Sequence, residues 1–242
     1  MILNKIYNCD CVFGMQNISD YSIDCVITDP PYNLGNLIKN RGYHIQAMRN
    51  NSLANADWDN SSAEDWLFLM DNVFKILVKK VKIGGNIIIF CNSLKVGDLY
   101  NLAEQCGLYY KTTGVWHKTN PMPRNMNLQF VYSNEFWLHF VNQKRTGTFN
   151  NDGKLLTDFF SSSVTPKKER ENFKHPTQKP LSLIVPLIKI LSNVGDTVLD
   201  CFAGSRTTAV AAIDTGRNFL GFEVNRYYCD MANARIKRRF FK

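Results

Sequence analysis

Apolar residues along this chain alternate between two patterns. Short continuous runs rich in β-branched residues, such as Ile87-Ile88-Ile89-Phe90, are each followed by a longer stretch with apolar residues three or four apart, such as Trp66, Met70, Val73, Phe74 and Leu77. The first pattern is that of strands buried on both faces, the second that of amphipathic helices. Together they predict strands over 5–9, 24–28, 86–91, 114–117, 136–141, 197–199 and 219–222. They predict helices over 63–81, 94–105, 181–191, 205–215 and 227–240. Strands that alternate with helices indicate an α/β fold, doubly wound around a mostly parallel sheet. Gly84-Gly85 is expected to end one helix before a strand, and Gly107 and Gly216 fall where helix caps belong.

Two segments break the alternation. Residues 33–59 are polar, rich in Asn and without a sustained period, and residues 144–174 hold Gly, Ser, Thr, Asn and charges. Loops of this length in a compact domain usually carry function, so both are expected to be mobile and to face a substrate. The chain has no internal repeats, and its 242 residues are expected to form a single domain.

Composition narrows the setting. At 45% hydrophobic and 12% aromatic the chain can bury a full core, and no apolar run approaches the roughly 20 residues of a membrane helix. The start lacks the architecture of a signal peptide. Seven Cys show no paired spacing and lie mostly in apolar segments, which predicts reduced, buried thiols in a cytoplasmic protein, with no metal site and no disulfides. The net charge of +8 is clustered at Lys79-Lys80-Val81-Lys82, at Lys167-Lys168 and in the tail Arg235-Ile236-Lys237-Arg238-Arg239. Clustered base suits a polyanion such as nucleic acid; any one cluster reads first as a helix end whose Lys and Arg complement its dipole, and the polyanion reading gains from the clusters taken together with Tyr32 and the loop bases.

The candidate chemistry sits where strands end. In VITDPPYNLG, residues 26–35, an apolar strand runs into Asp29, two prolines and Tyr32. Pro30 and Pro31 cannot donate to a ladder and stiffen the residues around them. The result is a rigid strand end that presents a carboxylate, proline carbonyls and an aromatic ring. That is either an ordinary Pro-rich turn or a clamp for a flat molecule bearing an amino group.

In TVLDCFAGSRTTAVAA, residues 197–212, a strand ends on Asp200, turns through Phe202, Ala203 and Gly204, and enters an Ala-rich helix at Ser205. Such a turn offers close backbone approach and helix-start amides to a nucleotide-like ligand. Glu223, at the end of the following strand, has the spacing of an acid that holds ribose hydroxyls, although the G-x-G-x-x-G of a dinucleotide site is absent.

These motifs, with HPTQKP at residues 175–180 just before the glycine turn, resemble the amino-group DNA methyltransferases. Because TDPPYN precedes LDCFAGSRTT, the resemblance is to the circularly permuted β branch, and it covers nearly the whole chain. It implies a Rossmann-like methyltransferase domain with an antiparallel hairpin at the sheet edge, a mobile loop at about 33–59 and a target-recognition insert at about 120–174. It implies S-adenosylmethionine as cofactor and double-stranded DNA as substrate. A homodimer and a cognate restriction endonuclease acting on the same sequence come with it as partners.

The resemblance also distributes roles. Asp29 and the carbonyl of Pro30 would hold the exocyclic amino group of adenine, with Pro31 and Tyr32 completing the motif and Tyr32 stacking on the extruded base. Asp200, Phe202, Ala203, Gly204 and Ser205 would line the methionine side of the cofactor, and His175, Thr177, Gln178 and Lys179 would close over it. Glu223 would take the ribose, and Asp10 either approaches the cofactor adenine or caps a helix. Trp58 and Asp59 would play a supporting part.

NPMPRN, residues 120–125, resembles a loop of small bacterial adenine enzymes, and Lys118, Arg124, Asn125 and Asn127 would contact DNA. No Cys is needed as a nucleophile. The chain departs from the family's Gly-Ser-Gly-Thr-Thr at Arg206, which is expected to take helical geometry and be tolerated, and Cys201 stands where Pro is common. A cytosine-N4 enzyme would use the same clamp, usually with Ser at the position of Asp29. A nucleic-acid-binding module would account for the charge and Tyr32, but not for Glu223 and the turn.

Overall fold

The computed structural model describes residues 1–32, 62–123, 127–170, 178–204 and 206–240. Loop 33–59 with Trp58 and Asp59, and site candidates Arg124, Asn125, His175, Thr177 and Ser205, lie outside the described residues, as do the side chains of the basic tail apart from Ile236.

The chain runs β1 (Lys5–Tyr7), α1 (Cys11–Met15), β2 (Ile23–Thr28), α2 (Ala63–Lys80), β3 (Val81–Cys91), α3 (Val96–Gln105), β4 (Leu108–Lys118), β5 (Asn134–Asn142) and β6 (Phe159–Ser162). It continues through α4 (Lys167–Arg170), α5 (Leu181–Leu191), β7 (Thr197–Asp200), α6 (Thr207–Asp214), β8 (Asn218–Phe222) and α7 (Arg226–Phe240). Eight strands form one sheet in the order β1-β8-β7-β2-β3-β5-β4-β6. All pairings are parallel except those of β5 with β3 and β4.

Two apolar layers cover the sheet. Val26, Ile87, Ile89 and Leu199 face one, filled by Trp66, Met70, Phe74 and Leu77 of α2 and Leu99 of α3. Cys25, Ile27, Ile88, Phe90 and Val198 face the other, against Leu183, Ile184, Leu187 and Ile188 of α5 and the alanines of α6. Alternate residues of each central strand thus serve opposite layers, which is why those strands read as continuous apolar runs.

The sheet differs from the sequence expectation at two places. The antiparallel β4–β5 hairpin is not the edge, because β6 adds outside β4, pairing Val115 with Phe159 through Lys118 with Ser162. That strand lies inside the segment 144–174 and is only four residues long, too short to show a period. Gly84-Gly85 does not end a helix either. α2 stops at Lys80, and Gly84 lies within β3 at φ 86, where the register against β2 jumps from Ile23↔Val81 to Cys25↔Asn86. Gly107 and Gly216 do occupy helix ends, at φ 84 and 73.

No helix of the described residues is long and apolar enough to cross a membrane.

Candidate active site

The two motif-bearing strands, about 170 residues apart in sequence, are neighbours. β2 pairs with β7 in parallel, Cys25 opposite Val198 and Val26 opposite Leu199, so both strands deliver their ends to one rim of the sheet. Thr28 staples the two ends. Its hydroxyl donates to Asp200 Oδ1 at 2.8 Å and accepts the Phe202 amide at 3.2 Å. Asp200 also accepts the Phe202 amide at 3.2 Å and is 7% exposed. Burial pushes its carboxyl up to about 6 against the opposing effect of those bonds.

Beyond Thr28 the chain enters the clamp. Trp66, buried in α2, donates its indole N–H to the Pro31 carbonyl at 2.6 Å, with Lys95 lying 4.2 Å over its ring. α2 is itself anchored at this end by a reciprocal capping box between Ser62 and Asp65. Trp66 therefore fixes the turn from beneath and takes one of the two proline carbonyls.

Asp29 lies in a four-charge cluster. The Lys179 ammonium contacts Asp29 Oδ2 at 2.5 Å and Glu135 Oε2 at 3.0 Å, and Lys118 contacts Glu135 Oε1 at 2.5 Å. The Tyr32 hydroxyl donates to Asp29 Oδ1 at 2.7 Å and lies 3.2 Å from Glu135 Oε2. Burial raises the Asp29 carboxyl above its ordinary range, and Lys179 works against that rise. Burial also raises Glu135, but Lys179 and Lys118 outweigh it and hold this acid at about 2. Burial disfavours the charged form of Lys179, and the two carboxylates overcome it and lift the group to about 12. Tyr32 is raised well above its ordinary value, by burial first and then by the two acids.

Glu135 escaped the sequence reading. It opens β5 in a segment, NEFWLHFVN, that otherwise reads as an apolar strand, and only the pairing of β5 beside β3 brings it to the rim. An acid at the head of a buried strand is the one signal it offered. Trp66 carried no signal beyond that of a core residue.

The expected cofactor residues gather on the other side of the Thr28 staple. Glu223 follows β8, accepts the Asn225 amide at 2.7 Å and is also bonded by the Gly204 amide; burial raises it and these amides oppose the rise. The glycine turn and the distant acid thus meet. Gly204 has φ 27, Ala203 is buried with its amide on the Phe222 carbonyl, and Phe202 is half-buried. Gln178 is 4% exposed, and neither atom of its amide finds a hydrogen-bond partner among the described residues. Its carbonyl accepts from Thr165, and the Lys179 carbonyl accepts from Thr207 at 2.8 Å, which ties this segment to the start of α6.

A positive-φ turn, an acid bonded to it and an unanswered buried amide fit a ligand with a ribose and an amino-acid end. Asp10 caps α1, accepting the amides of Val12 at 2.8 Å and Phe13 at 3.2 Å through Oδ1. The Lys179 ammonium, expected over the cofactor, is on Asp29 and Glu135.

Arg206 corrects an expectation. It is not in helical geometry but left-handed, at φ 58 and ψ 17, and is 1% exposed. The turn requires a backbone that Gly adopts freely and Arg does not, which accounts for the family's glycine at this position.

Lys118 is engaged with Glu135 rather than open to solvent, and Asn127 is exposed. Lys80 and Lys82 pair with Asp20 at 2.7 Å and Asp24 at 2.5 Å, at the opposite end of the sheet from the rim. That cluster is the end of α2, with Lys79 and Lys80 in its last turn, and the start of β3, which holds Lys82. Burial pushes the thiols of Cys11 and Cys91 up to about 12 and raises Cys25 and Cys201 further, so none offers a ready thiolate.

The family model described as DNA methylase, for N6 and N4 enzymes, matches residues 23–234. The chain is 32% identical over 234 residues to the Type II methyltransferase M2.DpnII of Streptococcus pneumoniae, covering 92% of this chain and 85% of that protein. Among solved structures it resembles the complex of M1.HpyAVI with S-adenosylmethionine, at 28% identity and TM-score 0.67, over 96% of this chain and 98% of the other. It shares the fold of the cytosine-N4-specific PvuII DNA methyltransferase, at 16% identity and TM-score 0.75, over 98% of this chain and 90% of the other.

Proposed function

The chain belongs to the N6/N4 DNA methylase family and is an S-adenosylmethionine-dependent DNA methyltransferase, and from that premise we propose that Asp29, Pro30 and Tyr32 present the N6 amino group of adenine for methylation. One observation carries the assignment. The pairing of β2 with β7 puts the amino-group clamp and the cofactor turn on one rim, joined by a single hydroxyl, Thr28.

The exocyclic nitrogen of adenine is a poor nucleophile because its lone pair is delocalised into the ring. Asp29 and the Pro30 carbonyl accept its two hydrogens, which favours a more tetrahedral nitrogen and turns the lone pair towards the rim. The Pro31 carbonyl does not compete, since Trp66 occupies it. Tyr32 stacks on a base taken out of the duplex. S-adenosylmethionine supplies an electrophilic sulfonium methyl. Glu223 and the Gly204 turn hold its ribose, while Gln178, Phe202 and Ala203 line the remainder. Asp29 favours adenine over cytosine N4, where Ser usually stands at this position.

The same reading extends to the partners. The substrate is double-stranded DNA in the cytoplasm, the protein acts as a homodimer, and a restriction endonuclease of the same specificity accompanies it, in keeping with the Type II relative.

The test is to incubate purified protein, plasmid and labelled S-adenosylmethionine, then to identify the modified nucleoside by mass spectrometry. N6-methyladenine is expected. Asp29→Ala is expected to abolish transfer with cofactor affinity retained. N4-methylcytosine in the wild-type digest, or an equal loss of cofactor binding in the variant, would overturn the assignment.

A further inference from the structure

Both oxygens of the clamp acid are already taken. Lys179 holds Asp29 Oδ2 at 2.5 Å, and the Tyr32 hydroxyl holds Oδ1 at 2.7 Å. An incoming amino group must bind one of these oxygens beside, or in place of, the donor already on it. Lys179 is a poor candidate to yield, because it is buried between two carboxylates and its departure would leave Asp29 with no cation in contact and Glu135 with Lys118 alone. Tyr32 is a good one. Its single hydroxyl proton faces two acceptors, and the second, Glu135 Oε2, is only 3.2 Å away. A small rotation would exchange one acceptor for the other without leaving the hydroxyl unbonded.

We propose that Glu135 is a positioning residue that receives the Tyr32 hydroxyl when the target amino group takes Asp29 Oδ1, while Lys179 fixes the other Asp29 oxygen and keeps the acid ionised.

This rests on the reading of Asp29 as the amino-group acceptor and adds to it a defined exchange between an empty and a loaded clamp. Glu135 suits the part. Lys118 at 2.5 Å and Lys179 at 3.0 Å keep it charged, so it accepts a proton-bearing group without taking a proton itself. The two lysines and two carboxylates balance, so moving the hydroxyl from one acid to the other shifts no net charge. Lys179 is also held in place from its own backbone, whose carbonyl accepts from Thr207.

Among the described residues, the charged and titratable groups facing Asp29 are Lys179, Tyr32, Glu135 on β5 and Cys91 on β3, with Lys118 behind Glu135 and Asp200 across the staple. Of these, only Lys179 favours the ionised form of Asp29 by direct contact as a cation.

The test is single-turnover methylation of a duplex oligonucleotide at saturating S-adenosylmethionine, with cofactor dissociation constants and thermal melts measured alongside. Glu135→Met, which keeps the length of the side chain but removes the acceptor, is expected to slow methylation at least tenfold with cofactor affinity unchanged, and Glu135→Asp to recover part of the loss. The same Glu135→Met change made in a Tyr32→Phe protein, whatever that background costs, should slow it less than threefold, because no hydroxyl remains to be received. An equal loss in both backgrounds overturns the exchange.

Lys179→Met should move the acid limb of the rate–pH profile upwards by at least one unit. A uniform loss with the limb in place overturns the role of Lys179. If Glu135→Met does not fold, Glu135→Asp carries the same two-background comparison, since shortening the side chain draws the acceptor away from Tyr32. Should Asp29→Asn retain wild-type rates, the reading of the clamp fails, and that outcome is distinct from either result above.

Discussion

Replacing Asp200 with Asn should flatten the pH dependence of stability between about pH 4 and pH 6. Asp200 is 7% exposed, and its bonds to Thr28 and the Phe202 amide do not offset the loss of solvation, so its carboxyl titrates at about 6 in the fold. In the unfolded chain the same group titrates near its ordinary 3.8. Below that value it is protonated in both states and contributes no pH dependence. Between the two values the unfolded state releases the proton and the folded state keeps it, so stability falls as pH rises. Above about 6 the group is ionised in both states and the full penalty is present.

The difference between about 6 and 3.8 is roughly 2 pH units, and at about 1.4 kcal/mol per unit the penalty is about 3 kcal/mol. Asn keeps the acceptor for Thr28 and Phe202 but carries no charge, so its curve should lack this fall. Urea unfolding of the cofactor-free protein from pH 4 to pH 7 measures it, comparing wild type with Asp200→Asn. The slope of Glu223, raised by burial, persists in both proteins and cancels in the difference, while the repulsion between Asp29 and Asp200 is lost with the Asp200 charge and adds to the difference in the same direction. Parallel curves for the two proteins would refute the claim that Asp200 is buried as an acid.

Glu223→Ala should weaken S-adenosylmethionine binding by roughly 1.5–3 kcal/mol, the scale of hydrogen bonds to a charged group, and an unchanged dissociation constant by calorimetry would place the ribose contact elsewhere. At Arg206 the informative comparison is Ala against Gly. Both remove the side chain, and only Ala keeps the cost of φ 58, so Arg206→Gly should be more stable than Arg206→Ala by about 1 kcal/mol in urea unfolding, the reverse of the order in a helix interior. Trp66→Phe deletes the donor at 2.6 Å from the Pro31 carbonyl, and a loss of roughly 1–3 kcal/mol in stability with a slower methylation rate is expected. Cofactor affinity should stay unchanged, because Trp66 braces the clamp and not the glycine turn.

The β2 and β7 strand ends were legible because their chemistry is local. A buried strand must be a continuous apolar run when helices cover both faces, and Pro30-Pro31 must stop it wherever it lies in the sheet. Glu223 could be paired with the Gly204 turn from spacing alone, since a strand–turn–helix–strand unit has nearly constant length. The sequence by itself therefore determined the layers, the two motifs and their family.

Only the tertiary structure decided what the motifs touch. The charges gathered around Asp29 come from β5 and the segment before α5, with Lys118 of β4 behind Glu135, and no local rule predicts which distant charges will share one rim. Lys179 shows the difference most clearly, because its motif was legible while the direction of its ammonium, to Asp29 and Glu135, depended on the packing of α5 and α6 below it. Glu135 and Trp66 were hidden for the same reason, since one reads as the start of a strand and the other as core. Arg206 was misjudged because propensity favours a right-handed helix start, whereas closure of the turn between β7 and α6 imposes a left-handed residue there, whatever its side chain prefers.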